Sequence, residues 1–117
     1  MNRAVLLVDT DTSFVKMISA LLEFNDFSVI RLDESENLAN VLDNQPVSVV
    51  LADIMAGMSI EELMESIADK REISMILTGI RDLSNTERKK LLSRSIPFIK
   101  KPCMPSLVCD KIKKIVR

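Results

Sequence analysis

Histidine, tryptophan and tyrosine are absent from this sequence, and glycine occurs only twice. With no histidine and two cysteines, the chain lacks the four-ligand sets of the common zinc sites. Four phenylalanines are the only aromatics, so the core must be aliphatic. Neither sign of charge dominates: sixteen basic residues face seventeen acidic ones, a net charge of -1. Nothing global therefore favours nucleic acid or an anionic membrane as a partner. No stretch approaches the roughly 18 apolar residues that a membrane span requires. The apolar run near the N-terminus is too short for a signal peptide and leads straight into Asp9. Cys103 and Cys109 read as reduced thiols of a cytosolic protein rather than as a disulfide. There is no internal repeat and no low-complexity segment.

What remains is ordinary for a globular protein: 117 residues, 47% hydrophobic and 28% charged. That length predicts a single domain over residues 1–117, burying about two-thirds of its unfolded surface. Its organising stretch is Val47 to Asp53, Val-Ser-Val-Val-Leu-Ala-Asp. Six small or apolar residues read as a strand buried on both faces, and a carboxylate then stands at its carboxyl end. Two other apolar runs end in the same manner, Ala4 to Val8 at Asp9 and Ser74 to Leu77 at Thr78. In an open α/β sheet, ligands sit outside the carboxyl ends of the strands. Parallel pairing would bring Asp9, Asp53 and Thr78 to one edge.

Helical patterns alternate with these runs. After Asp9-Thr10-Asp11-Thr12, the residues Phe14, Ile18, Leu21 and Leu22 form an apolar face, broken by Asn25 and Asp26. Phe27 to Leu32 reads as a mixed strand nearer an edge. Ser35 is expected to start a short helix with Leu38, Val41 and Leu42 inward, stopped by Asn44 and Pro46. Ser59-Ile60-Glu61-Glu62 and Ser84-Asn85-Thr86-Glu87 both match a capping box. The first opens a helix with Leu63, Ile67 and Met64 toward the core. The second opens a mostly polar helix, residues 85–94, with Leu91 and Leu92 inward and little burial to hold it. Pro97 precedes a short strand from Phe98 to Lys100, and Lys101-Pro102 closes it. Pro105 suits the first turn of a last helix that buries Val108, Ile112, Ile115 and Val116. Lys111, Lys113, Lys114 and Arg117 face water there, a basic stripe too short to imply nucleic acid. Five strands alternating with five helices over short connections predict a doubly wound parallel sheet with helices on both faces.

Four marks, each at the end of its own strand, together resemble the receiver domain of two-component response regulators. They are Val-Asp at Asp9, Asp53, Leu-Thr-Gly at Thr78 and Gly79, and Lys-Lys-Pro at Lys101 and Pro102. The resemblance runs end to end and implies a flavodoxin-like sheet in the order 2-1-3-4-5. It implies that Asp53 accepts a phosphoryl group from a histidine kinase or phosphotransfer protein. It further implies that Asp9, Asp53 and the main-chain carbonyl of Met55 hold Mg²⁺, that Lys101 pairs with the phosphoryl oxygens and that Thr78 hydrogen-bonds them. By the same resemblance, the face formed by helix 4, strand 5 and helix 5 docks a downstream protein or a second copy. Such a module is not an enzyme beyond its own phosphorylation and dephosphorylation.

Three positions depart from the family pattern. Thr10 stands where the family carries a second acid, the more direct metal ligand, so Mg²⁺ affinity should fall. Asp11 can reach toward the ion, though capping the first helix is its simpler role. The loop Met55-Ala56-Gly57-Met58 lacks the usual proline and is one residue shorter. Phe98 replaces the switch aromatic without a hydroxyl. These departures leave open a degenerate receiver that binds partners without phosphorylation. A remoter alternative takes Asp9-Thr10-Asp11-Thr12 as the signature of a haloacid-dehalogenase-type phosphatase, with Asp9 as nucleophile and Asp11 as acid/base. Against it, the chain is short, Asp53 is left without a role, and no acidic pair follows Lys101 on a strand. A flavin or nucleotide site is disfavoured because acids fill the loop that should cradle phosphate.

Overall fold

A computed structural model describes residues 3–33 and 35–116. Five strands, β1 (Ala4–Val8), β2 (Ser28–Arg31), β3 (Val47–Asp53), β4 (Ser74–Gly79) and β5 (Phe98–Lys100), form one parallel sheet. Their order is β2-β1-β3-β4-β5, the expected doubly wound α/β arrangement. The helices are α1 (Thr12–Phe24), α2 (Leu38–Asn44), α3 (Ile60–Ser66), α4 (Asn85–Ser93) and α5 (Pro105–Val116). β3 lies at the centre because its pattern is apolar on both sides, and alternate residues feed two cores. Val50 and Ala52 join Leu6, Leu42, Leu63 and Leu77 beneath α2, α3 and α4. Val49 and Leu51 join Val5, Ile18, Leu22, Val108 and Ile112 beneath α1 and α5. β2, at the edge, is the more polar strand, as its mixed sequence predicts.

Helix starts follow local hydrogen-bonding chemistry. Asp11 caps α1, its Oδ1 accepting from the Phe14 amide at 3.1 Å. Both capping boxes form: Ser59 with Glu62, and Ser84 with Glu87. Asp26, in the left-handed region at φ 67°, turns the chain out of α1 into β2.

Several expectations need correction. α2 is capped by Asn37, whose side chain accepts from the Asn40 amide at 3.2 Å; Ser35 lies outside the helix. Leu92 points to water, 78% exposed, and Leu91 is the one buried residue of α4. Ile115 and Val116 are half-buried, while Cys109 takes a core place beside Val108 and Ile112. Lys111, Lys113 and Lys114 are exposed; Arg117 lies outside the described residues. Both cysteines are free thiols. Among the described residues no helix is long and apolar enough to cross a membrane.

Candidate functional site

The carboxyl ends of β1, β3, β4 and β5 bring together four of the residues singled out above. Register does most of the work: Asp53 lies directly beside Thr78 across the β3–β4 pair. The chain leaving β5 returns to the sheet through the Lys101 amide, which donates to the Gly79 carbonyl at 2.8 Å. That bond fixes where the Lys101 side chain starts; the Lys101–Pro102 peptide that follows is cis.

Lys101 is the hub. Its Nζ donates to Asp9 Oδ2 at 2.8 Å and lies 2.9 Å from Asp53 Oδ2. The Phe14 ring sits 4.3 Å from the same nitrogen, closing one side of the cage. All three polar partners are nearly dry: the side chains of Lys101, Asp9 and Asp53 are 8%, 6% and 9% exposed. Burial works against the ammonium, but hydrogen bonds to Asp9 and Asp53 outweigh it and hold the Lys101 pKa above the ordinary lysine value. Asp11 Oδ2 stands further off, 3.9 Å from the ammonium, on a half-exposed side chain.

The carboxylate of Asp53 is held from two directions. The Met55 amide donates to Oδ1 at 2.7 Å, and the fully buried Thr78 hydroxyl donates to Oδ2 at 3.4 Å. Asp9 Oδ1 accepts from the Asp11 amide at 2.9 Å. Gly79 is required by its surroundings. A Cβ there would lie 2.6 Å from Ile54 Cγ1 and 3.3 Å from Phe98 Cε1. Phe98 itself is half-buried against the core next to that glycine.

The donor set fits a hard divalent cation in kind. Two buried carboxylates share a single ammonium, so negative charge remains, and such ions take oxygen ligands while keeping several waters. It is a thin set, however: among the described residues no three His, Cys, Asp or Glu side chains cluster at metal-holding distance. Thr10, exposed at the rim, carries no charge to complete one.

No protein-family model matches the chain. Solved structures do, over almost its whole length. A CheY-like response regulator receiver domain from Methanospirillum hungatei superposes with a TM-score of 0.82 at 24% identity, covering 99% of this chain and 94% of that one. The signal receiver domain of a LuxO repressor protein from Vibrio parahaemolyticus gives 0.84 at 15% identity, covering 99% and 91%. The fold is that of a response-regulator receiver domain. Among curated proteins, the heme response regulator HssR of Staphylococcus epidermidis is 26% identical over 113 residues, 96% of this chain. The chain spans about half the length of that relative, 50%.

Sequence reasoning reached Asp9, Asp53, Thr78 and Lys101, which the receiver fold brings into contact. It missed Phe14 as a wall of the site, because a phenylalanine on an apolar helical face reads simply as core. It gave Asp11 three roles, helix cap, metal ligand and, in the phosphatase alternative, acid/base; the structure shows the cap and a distant approach to Lys101. For Met55 it names the main-chain carbonyl as a metal ligand; in the structure the Met55 amide also donates to Asp53 Oδ1.

Proposed function

We propose that this chain is a phosphorylatable receiver module in which Asp53 accepts a phosphoryl group. The observation that carries the reading is the convergence of the Lys101 ammonium and the Thr78 hydroxyl on one oxygen, Asp53 Oδ2. In the transfer, Asp53 Oδ2 forms the new O–P bond as the donor's N–P or O–P bond breaks, and the leaving group takes the bonding electrons. The Oδ1 oxygen, held by the Met55 amide, keeps the carboxylate aimed. Lys101 slides from Oδ2 to a phosphoryl oxygen and neutralises charge that develops there, and Thr78 donates its hydroxyl to another. Asp9 and Asp53, with the Met55 carbonyl and Asp11 as further candidates, would hold Mg²⁺, which when bound would supply charge neutralisation on the phosphoryl oxygens. The donor is a histidine kinase or phosphotransfer protein. The output face comprises α4, β5 and α5, which docks a downstream protein or a second copy. No turnover is assigned beyond self-phosphorylation and self-dephosphorylation.

A binding-only receiver is the second reading, favoured by Thr10 in place of an acid. One experiment separates the two: incubation with Mg²⁺ and a small phosphodonor, followed by intact mass and peptide mapping. A single phosphoryl adduct on Asp53, abolished by Asp53→Asn and only weakened by Asp9→Asn, supports the proposal. An adduct on Asp9 transfers the case to the phosphatase reading. No adduct at saturating donor and ion leaves the binding-only receiver.

A further inference from the structure

Helix α4 buries a single side chain, Leu91, and a nine-residue helix so lightly anchored has little intrinsic stability. Charge supplies what packing does not. Arg81, in the loop after β4, grips Glu87 in the first turn of α4 with both guanidinium nitrogens, Nη1 to Oε1 and Nη2 to Oε2, each at 2.9 Å. Its Nη1 also donates to the Asp82 carbonyl at 3.0 Å. Glu87 Oε1 simultaneously accepts from the Ser84 amide at 2.8 Å, so the ion pair and the capping box share one carboxylate. From the opposite side, Lys100 at the end of β5 donates to Asp82 Oδ1 at 2.7 Å. The loop residues Arg81 and Asp82 are thus tied at once to α4 and to β5. They follow Thr78 by three and four positions, and the Thr78 hydroxyl faces Asp53. An isolated surface pair contributes little, but a bidentate fork sharing partners with a cap and a second pair is the favourable exception.

We infer that the Arg81–Glu87 and Lys100–Asp82 pairs form an ionic latch that holds the β4–α4 loop closed. Its release carries a change at Asp53 to the α4 face. Only the trigger rests on the phosphorylation reading; the latch itself does not. Displacement of Thr78 toward new oxygens at Asp53 pulls the loop that follows it, and a shift of Arg81 relative to Glu87 opens the fork. Once the fork opens, α4 retains its cap, Leu91 and the Lys90–Glu61 ion pair to α3 at 2.6 Å. The segment belongs to the low end of local stability, where opening is measurable by amide exchange.

The test is amide exchange across residues 80–94 of the whole chain, with variants that separate charge from cap. Glu87→Gln keeps a capping-box acceptor and removes the ion pair. Arg81→Gln leaves the cap intact, and Ser84→Ala removes the cap while leaving the fork. The latch predicts about fivefold faster exchange in Arg81→Gln and in Glu87→Gln, with the double variant no faster than either. Salt at about 1 M should speed the wild type toward the variants and act less on the variants, which keep only the Lys100–Asp82 and Lys90–Glu61 pairs around this segment. Unchanged exchange in the single variants, additive effects, or a salt-insensitive wild type overturns the latch. Phosphodonor labelling of the same proteins is read separately. An unlabelled wild type defeats the phosphorylation reading while the exchange data still decide the latch. A labelled protein exchanging at the unlabelled rate over residues 80–94 overturns the coupling.

Discussion

The Lys101 ammonium lies 4.3 Å from the centre of the Phe14 ring while bridging Asp9 and Asp53. A helix residue that sequence assigns to the core is therefore also the wall that keeps water off Lys101, the one buried cation among the described residues. Phe14→Leu preserves apolar character and removes the ring face. The loss combines a desolvated cation–π contact with imperfect repacking, about 1–3 kcal/mol in all. Urea denaturation of the two proteins checks it. Equal stabilities would mean that the ring packs without acting on Lys101.

Gly79→Ala tests the wall on the other side of Thr78. The added Cβ would lie 2.6 Å and 2.8 Å from two carbons of Ile54, a buried side chain hemmed in by the core. Overpacking of this kind costs roughly 1–3 kcal/mol. The expected outcome is lower thermal stability accompanied by displaced Ile54 and Phe98 side chains in a crystal structure of the variant. A variant as stable as the parent, with Ile54 unmoved, would contradict the contact.

Glu87 carries a pH signature. Hydrogen bonding from Arg81, then from the Ser84 amide, holds its pKa at about 2, below the ordinary 4.5. A carboxylate depressed on folding stabilises the native state fully above its unfolded pKa and loses that contribution as pH falls through the folded one. Stability should therefore decline between about pH 4.5 and about pH 2. In Glu87→Gln that share of the decline should vanish. Chemical denaturation across this window, wild type against variant, measures the difference. Parallel curves would remove the role assigned to Arg81.

The legible parts of this molecule were those where one local rule acts alone. Val47 to Asp53 forms a strand with the expected bounds because six consecutive small or apolar residues without glycine or proline have one natural home. The Ser59 and Ser84 caps follow from a four-residue pattern whose hydrogen bonds are entirely local. The α2 start was misplaced because Ser35 and Asn37 are both capable caps, two residues apart, and tertiary packing of Leu38 decides between them. Leu91 and Leu92 are adjacent in a short polar helix, so periodicity gives no means of choosing the inward one. Arg81–Glu87 and Lys100–Asp82 span six and eighteen positions and join different elements, so no spacing rule announces them. Of the site, the four polar residues were visible as strand-end residues; their common contact, the Lys101 cage, is a property of the fold.

Thr10 sets the last expectation, which concerns the cation. Asp9 and Asp53 present two carboxylates already sharing one ammonium, and no third acid stands close enough to complete a metal-holding cluster among the described residues. Thr10→Asp would add a full charge at the rim of the same edge, next to Asp9. A carboxylate a few ångströms from a divalent ion strengthens binding on the order of 1–3 kcal/mol at an effective dielectric near 20, a gain of roughly five- to 150-fold in affinity. Calorimetric titration with Mg²⁺ reads this without any phosphodonor. Asp11→Asn, in the same experiment, should change affinity little, because Asp11 is occupied as the α1 cap and lies 3.9 Å from Lys101. It should instead lower helix stability, since Asn is a capable cap but lacks the charge that favours a helix N-terminus. Equal affinity in wild type and Thr10→Asp, together with a large loss in Asp11→Asn, would assign the missing ligand to Asp11. The cap would then have to open for the ion to bind.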